Sequence, residues 1–311
     1  MQPGLTSSGY RFVRVLGRGS RAVVWEAVHV VTSRMVAVKV LDTLDPDERK
    51  RLANEYQAMA LLQHPNVVGV HALLEVEGRL ALVIDLVQGP DLESYLAETP
   101  PDRELALQLF GGILRGLAAA HAQGFVHRDL KPGNVLLTST SPPVPRIADF
   151  GIVKAESDTS ITNTGLILGT VRYMAPEQLK NPSGVDARAD LFSAGCILFE
   201  LLTHTKAFDA PNKVALMNVV RLKRHTPFPD DLDPEHRQLL DELLDPEPEN
   251  RPDTAVAVLE RLGLPEEADT ELPASDVVAV RSRAAFYVTI GGAILVALGI
   301  VAAGLRSLLA P

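Results

Sequence analysis

The amino-acid sequence predicts an α+β fold of two lobes, a small strand-rich one and a larger helical one, followed by a single C-terminal apolar span. Three observations lead there. From Tyr10 to the late eighties the chain is a series of short β-type runs. After Gly89 it changes to long helical patterns, and residues 284–305 are 22 consecutive residues without a charge. Strands gathered first and helices second is the order of a segregated α+β chain. Of the 311 residues 46% are hydrophobic and 22% charged, which excludes a disordered or fibrous protein.

The strand runs are RFVRVLG, AVVWEAVHV, MVAVKVL and RLALVIDLV, covering 11–17, 22–30, 35–41 and 79–87. One helix interrupts them: Asp45 caps it, Pro46 takes its first position and Glu48 completes a start resembling a capping box. Leu52, Tyr56 and Met59 form its inner face at helical spacing. A long helix over 102–121 opens at Asp102 and closes near Gly124, with Leu105, Leu109 and Ile113 in phase. A second, 190–203 (DLFSAGCILFELLT), is apolar nearly all round and therefore buried. Residues 263–283 hold five acidic residues, two prolines and no sustained period, the pattern of a linker.

As a helix, 284–305 would reach ~33 Å, against a bilayer core of ~30 Å. Arg281 and Arg283 precede it, Arg306 follows it, and Phe286 and Tyr287 fall near the first interface. A buried core helix is the alternative, but four glycines suit a membrane helix better than a soluble one. The N-terminus, MQPGLTSSGY, carries no basic start and no apolar run, so no cleavable signal is expected. Only 306–311 follow the span, so a short tail and no outer sensor domain are expected. Small residues at Ala293, Ala297, Gly299 and Ala303 offer a helix-pairing face. The net charge of -9 lacks the footprint of nucleic-acid binding, and one cysteine, Cys196, excludes an intrachain disulfide or a cysteine zinc cage.

Chemistry-bearing residues recur in a fixed order. Leu16-Gly17-Arg18-Gly19-Ser20-Arg21-Ala22 lies between two strands, and alone it reads as an ordinary hairpin turn. The next strand ends in Val36-Ala37-Val38-Lys39, and Glu55 follows on the helix. Then come His127-Arg128-Asp129-Leu130-Lys131-Pro132-Gly133-Asn134, Asp149-Phe150-Gly151 and Ala175-Pro176-Glu177. In this order and spacing the chain resembles the eukaryotic-like (Hanks-type) serine/threonine protein kinase family, over 10–262. A kinase domain ahead of one membrane helix resembles the bacterial receptor-type members, without their extracellular repeats.

The resemblance implies a role for each position. Gly17 and Gly19, with Leu16, Arg18 and Ser20, would let backbone N–H groups approach the ATP phosphates, and Ala22 replaces the family's third glycine. Lys39 would hold the α- and β-phosphates and pair with Glu55. Asp129 would orient the substrate hydroxyl and accept its proton, and Lys131 would steady the γ-phosphate. Asn134 and Asp149 are oxygen ligands for Mg²⁺, with Mn²⁺ able to substitute. Val24, Ala37 and Leu136 would sandwich adenine, Asp85 to Val87 would read it through backbone, and Ile84 would guard the pocket behind. Met59, Val70, His127 and Phe150 match an internal spine anchored by Asp190, and Glu177 with Arg251 an ion pair in the large lobe. His64 belongs to a structural turn. A longer hairpin is expected around 139–145.

The segment from Asp149 to Glu177 contains Thr162 and Thr164, the expected autophosphorylation sites, with Thr159 and Ser160 as alternatives. Arg128 is a fixed cation that a phosphothreonine would satisfy. Thr170 would contact the catalytic Asp129 and Lys131. The resemblance thus implies transfer of the ATP γ-phosphoryl group to protein Ser/Thr hydroxyls, by a kinase anchored in the cell membrane by one span. Its domain would be cytoplasmic and its C-terminus outside, with a homodimer serving trans-autophosphorylation. A nucleotide-binding scaffold without turnover and a small-molecule kinase are the alternatives; Lys131 and the 169–177 segment favour protein substrates.

Overall fold

The structure, a computed structural model, describes residues 1–19, 22–42, 49, 50, 53, 56, 59–150, 171–180 and 184–265. Glu55, Ser20, Thr162, Thr164, Thr170 and the span at 284–305 lie outside the described residues, as does the cap at Asp45 to Glu48.

The small lobe is an antiparallel sheet in the order β1-β2-β3-β4-β6-β5: β1 (Thr6–Ser7), β2 (Tyr10–Arg18), β3 (Ala22–His29), β4 (Met35–Leu41), β5 (Val70–Val76) and β6 (Arg79–Ile84). Two hairpins use two-residue turns in which both residues have positive φ, Ser8-Gly9 and Glu77-Gly78. That turn matches the right-handed twist of the strands it joins. One face of the sheet buries Phe12, Trp25, Val36, Val38, Val40 and Val83, with the Phe12 and Trp25 rings edge to face at 5.9 Å. The strand expected to run to Val87 ends at Ile84, because Asp85 turns its side chain into a polar network. β1 and β5 were not anticipated; β5 reads VHALLEV, whose charges and histidine blur the strand pattern.

The large lobe contains α1 (Leu92–Glu98), α2 (Arg103–Ala122), the hairpin β7 (Val135–Leu137) and β8 (Pro145–Ile147), then α3 (Pro176–Lys180), α4 (Arg188–Thr203), α5 (Lys213–Arg221), α6 (Pro234–Leu243) and α7 (Ala255–Arg261). Asp102 caps α2 by accepting from the Leu105 N–H at 2.9 Å, as expected. Among the described residues α2 is the one helix long and apolar enough to cross a membrane, but Leu109, Phe110, Ile113, Leu114 and Leu117 are fully buried and mark it as a core helix. α4 begins two residues earlier than its apolar run and is buried nearly all round.

Three glycines of α2 let neighbouring chain approach. A Cβ at Gly112 would lie 2.5 Å from Pro145, and one at Gly116 would lie 2.7 Å from the Asn66 carbonyl oxygen. Both contacts set the position of β8, whose chain continues into Asp149. Leu264 packs on Gly111 and Arg115 donates to the Pro265 carbonyl at 2.9 Å, so the packed chain continues past residue 262, where the linker was expected to begin. The expected long hairpin joins β7 to β8 and is closed by Thr138, whose N–H donates to the Val144 carbonyl and whose Oγ1 accepts from the Val144 N–H.

Candidate active site

The site is built outward from Asp190, a fully buried carboxylate in the first turn of α4. It accepts from the backbone N–H of His127 at 2.7 Å and of Arg128 at 2.8 Å, and lies 2.8 Å from His121 Nε2. Three partners satisfy a charge that would otherwise be costly to bury. The result is a fixed loop at 127–134.

His127 carries the next link. Its Nδ1 accepts from the Asp129 N–H at 3.2 Å and its Nε2 lies 2.9 Å from the Ala148 carbonyl oxygen, so the proton belongs on Nε2. The Phe150 ring packs 4.7 Å away. The loop is thereby joined to the chain entering Asp149.

Arg128 and Asp149 both take positive φ, 62° and 58°, a conformation that non-glycine residues adopt rarely and that costs free energy. At Arg128 the strain is held from both sides: Asp190 takes its N–H, and Gln178 Nε2 donates to its carbonyl at 2.9 Å. Gln178 Oε1 accepts from the Ala175 N–H, so the 171–178 segment is tied to the loop. That segment is anchored below by Arg251, whose fully buried side chain makes a bidentate pair with Glu177 at 2.6 and 2.8 Å and lies over the Phe192 ring. Arg128 Nε is buried with no hydrogen-bond partner among the described residues.

Asp129, Lys131 and Asn134 form one group and Lys39 with Asp149 another, and the backbone joins the two. Lys131 Nζ is 3.1 Å from Asp129 Oδ2, and Asn134 Nδ2 donates to the Asp129 carbonyl at 2.8 Å. The Asn134 carbonyl accepts from the Ala148 N–H at 2.8 Å. Lys39 Nζ reaches Asp149 Oδ1 at 2.6 Å from the other lobe, while its expected partner Glu55 lies outside the described residues. With Nδ2 committed to Asp129, Asn134 offers Oδ1 as a ligating atom. An amide oxygen from Asn134 and a carboxylate from Asp149 are the donor types that suit a hard divalent cation.

The glycine segment follows β2. Gly17 pairs with Val24 across a register shift, and the Gly19 N–H donates to the Ala22 carbonyl at 2.8 Å. A Cβ at Gly17 would meet nothing within 4 Å and one at Gly19 would make only an ordinary contact; neither has positive φ. Among the described residues, nothing crowds a side chain at either position. Ala22 is buried against Leu41, Tyr56 and Leu82, so its methyl serves the core. Leu16 and Arg18 are exposed, Val24 and Leu136 half-buried and Ala37 buried opposite Ile84 in the sheet.

Asp85 and Val87 lie in the chain leaving β6. The Asp85 carboxylate faces Arg146, His71, Arg34 and the Gly69 N–H. Burial would raise its pKa, but the His71 hydrogen bond, Arg146 and the Gly69 N–H outweigh it and hold the carboxyl below the usual range. None of these partners was singled out from the sequence. An arginine in the Pro-flanked apolar run PRIADF was the available signal, since a buried cation needs a partner.

The profile of the protein kinase domain family matches residues 10–261. The serine/threonine-protein kinase PknJ of Mycobacterium tuberculosis is 39% identical over 234 residues, 74% of this chain and 39% of that one. PknA of the same species is 38% identical over 250 residues, 76% of this chain and 57% of that one. The probable serine/threonine-protein kinase PknB of Lactococcus lactis is 36% identical over 240 residues, 76% of this chain and 38% of that one. Less than two thirds of each relative's length is therefore covered. Among solved structures, that of Rad53 residues 1–466 in complex with AMP-PNP matches with a TM-score of 0.69 and 25% identity, over 82% of this chain and 65% of that one.

Proposed function

Since the chain belongs to the protein kinase domain family, we propose that it is a serine/threonine protein kinase of the bacterial, eukaryotic-like type. The observation that carries this reading is that the Asp129–Lys131–Asn134 group and the Lys39–Asp149 pair are joined by the Ala148 N–H to Asn134 carbonyl bond. Phosphoryl transfer asks the protein mainly for positioning and for neutralisation of spreading charge. Asp129 holds the incoming Ser/Thr hydroxyl and takes its proton. Lys131, bonded to Asp129, faces the transferred phosphoryl oxygens, and Lys39 holds the phosphates that stay with the nucleotide. Asn134 Oδ1 and Asp149 hold Mg²⁺, with Mn²⁺ as a substitute, which when bound offsets phosphate charge. The backbone at Gly17 and Gly19 covers the phosphates, while Val24, Ala37 and Leu136 enclose adenine beside the Asp85–Val87 backbone.

Glu55 pairs with Lys39 in the active state in this reading. Thr162 and Thr164 are autophosphorylated, and Arg128 Nε, without a partner among the described residues, supports a phosphothreonine as their effect on the loop. The 22-residue uncharged stretch supports a single membrane span, with the kinase domain cytoplasmic, the C-terminus outside and trans-autophosphorylation in a homodimer.

The test is transfer from radiolabelled Mg-ATP by the full chain to a generic protein, followed by phosphoamino-acid analysis. Phosphoserine and phosphothreonine are expected; ATP binding without transfer, or phosphotyrosine alone, would refute the reading. Membrane fractionation of the full chain and of a chain lacking 284–305 tests the anchor: only the full chain should sediment with membranes.

A further inference from the structure

Asp85 stands where β6 gives way to the chain leading to α1, and its carboxylate joins three parts of the fold: the Gly69–His71 segment, Arg34 and Arg146. Its Oδ2 accepts from the Gly69 N–H at 2.9 Å and from Arg146 Nη2 at 2.6 Å. Its Oδ1 lies 2.6 Å from His71 Nε2 and 3.3 Å from Arg34 Nη2. The attachment to Gly69 is reciprocal, because the Asp85 N–H donates to the Gly69 carbonyl at 3.0 Å. A Cβ at Gly69 would lie 2.9 Å from Asp85 Oδ2, so that approach requires glycine. The Asp85 peptide is fixed through side chain and backbone together.

Arg146 extends the attachment toward the reacting end of the site. Its Nη2 also donates to the Val67 carbonyl at 2.9 Å. The next residue, Ile147, bonds the Asn66 carbonyl and the Val68 N–H through its backbone. Two residues further stands Asp149. One guanidinium–carboxylate pair, with side chains 10% and 12% exposed, therefore connects the adenine-facing backbone to the strand that delivers the metal-ligating carboxylate. A buried ion pair gives little net stability compared with apolar residues of the same volume, whereas it imposes direction and distance on what it joins.

We propose that the Asp85–Arg146 pair is a positioning clamp for the nucleotide, presetting the peptide that reads adenine and the strand that ends in Asp149. The proposal rests on the reading of Asp85 to Val87 as the adenine-contacting segment. Preorganisation of this kind lowers the ordering cost of binding, so its loss appears as weaker nucleotide affinity.

The experiment uses the full chain and a labelled adenine nucleotide with Mg²⁺. Wild-type affinity is measured first; if the wild type binds no adenine nucleotide, the underlying reading of the segment fails. With Arg146→Met, the KM for ATP and the nucleotide Kd should rise about tenfold, while the KM for the protein substrate should not move. Arg146→Lys should recover part of the loss. Asp85→Asn, which keeps an oxygen for the Gly69 N–H, gives an independent reading if Arg146→Met does not fold, and should also weaken nucleotide binding. The double variant should be no worse than the weaker-binding single variant, as expected for one shared interaction. Wild-type binding with unchanged affinity in folded variants overturns the clamp. Tighter binding or a raised kcat overturns it too, because the pair would then be a restraint.

Discussion

Asp190 and the two glycines of the β2–β3 turn represent opposite kinds of constraint at the scale of single residues. Asp190 is fixed by three donors inside the fold, so Asp190→Ala should leave buried donors unmatched and cost about 3–5 kcal/mol, seen as a large fall in melting temperature. Gly17 is the reverse: its added Cβ meets no protein atom. Gly17→Ala should leave stability within about 0.5 kcal/mol of wild type while raising the KM for ATP, read by melting and steady-state kinetics. The reacting residues were legible because each has a chemical type that phosphoryl transfer needs and a spacing that a local loop enforces. Arg146 and His71 were not, because a contact between residues 61 or 14 positions apart leaves no local pattern. The burial of the Ala22 methyl toward Leu41 and Leu82 likewise depends on the folded sheet.

At the scale of elements, α2 is plain from its periodicity and its Asp102 cap, and α4 from a run apolar nearly all round that the core buries. β5 was missed because its register is set by pairing with β6 and not by its own alternation. The strand after Arg79 was read too long because the apolar run continues through Leu86 and Val87, while the backbone leaves the sheet at Asp85. The close approach of α2 to β8 makes a second claim testable. Gly116→Ala places a Cβ 2.7 Å from the Asn66 carbonyl oxygen and 3.0 Å from Ile147. The Ile147 Cδ1 end can shift, but the Asn66 carbonyl is backbone held by the Ile147 N–H, so the variant should lose about 1–3 kcal/mol in denaturant unfolding. It should also slow phosphoryl transfer, because β8 leads to Asp149.

At the scale of the whole molecule, two histidines make stability depend on pH. Burial and nearby Arg115 lower the pKa of His64, and burial and Arg103 lower that of His236. The neutral rings accept hydrogen bonds, His64 Nδ1 from the Asn66 N–H and His236 Nδ1 from Arg103. Because the folded pKa lies below the unfolded value of 6.5, the unfolded chain binds more protons in the window between them. Their contribution is fully present above about pH 6.5 and is lost as pH falls through the lower folded values. Unfolding free energy should therefore rise from pH 5 to 7, and His64→Gln with His236→Gln should flatten that slope. Asp85 adds a separate loss below the ordinary carboxylate range, since its folded pKa is depressed.

The most direct test of the account compares the full chain with Asp129→Asn, both incubated with Mg-ATP, with phosphosites mapped by mass spectrometry. Asp129→Asn should bind nucleotide as wild type does, because Lys39 and Asp149 remain. Its transfer rate should fall by about 10²–10⁴-fold, the worth of a positioned proton acceptor. The account predicts phosphate on Thr162 or Thr164 in the wild type and none in the variant. Equal phosphorylation of both, or none in a wild type that binds ATP, would contradict it.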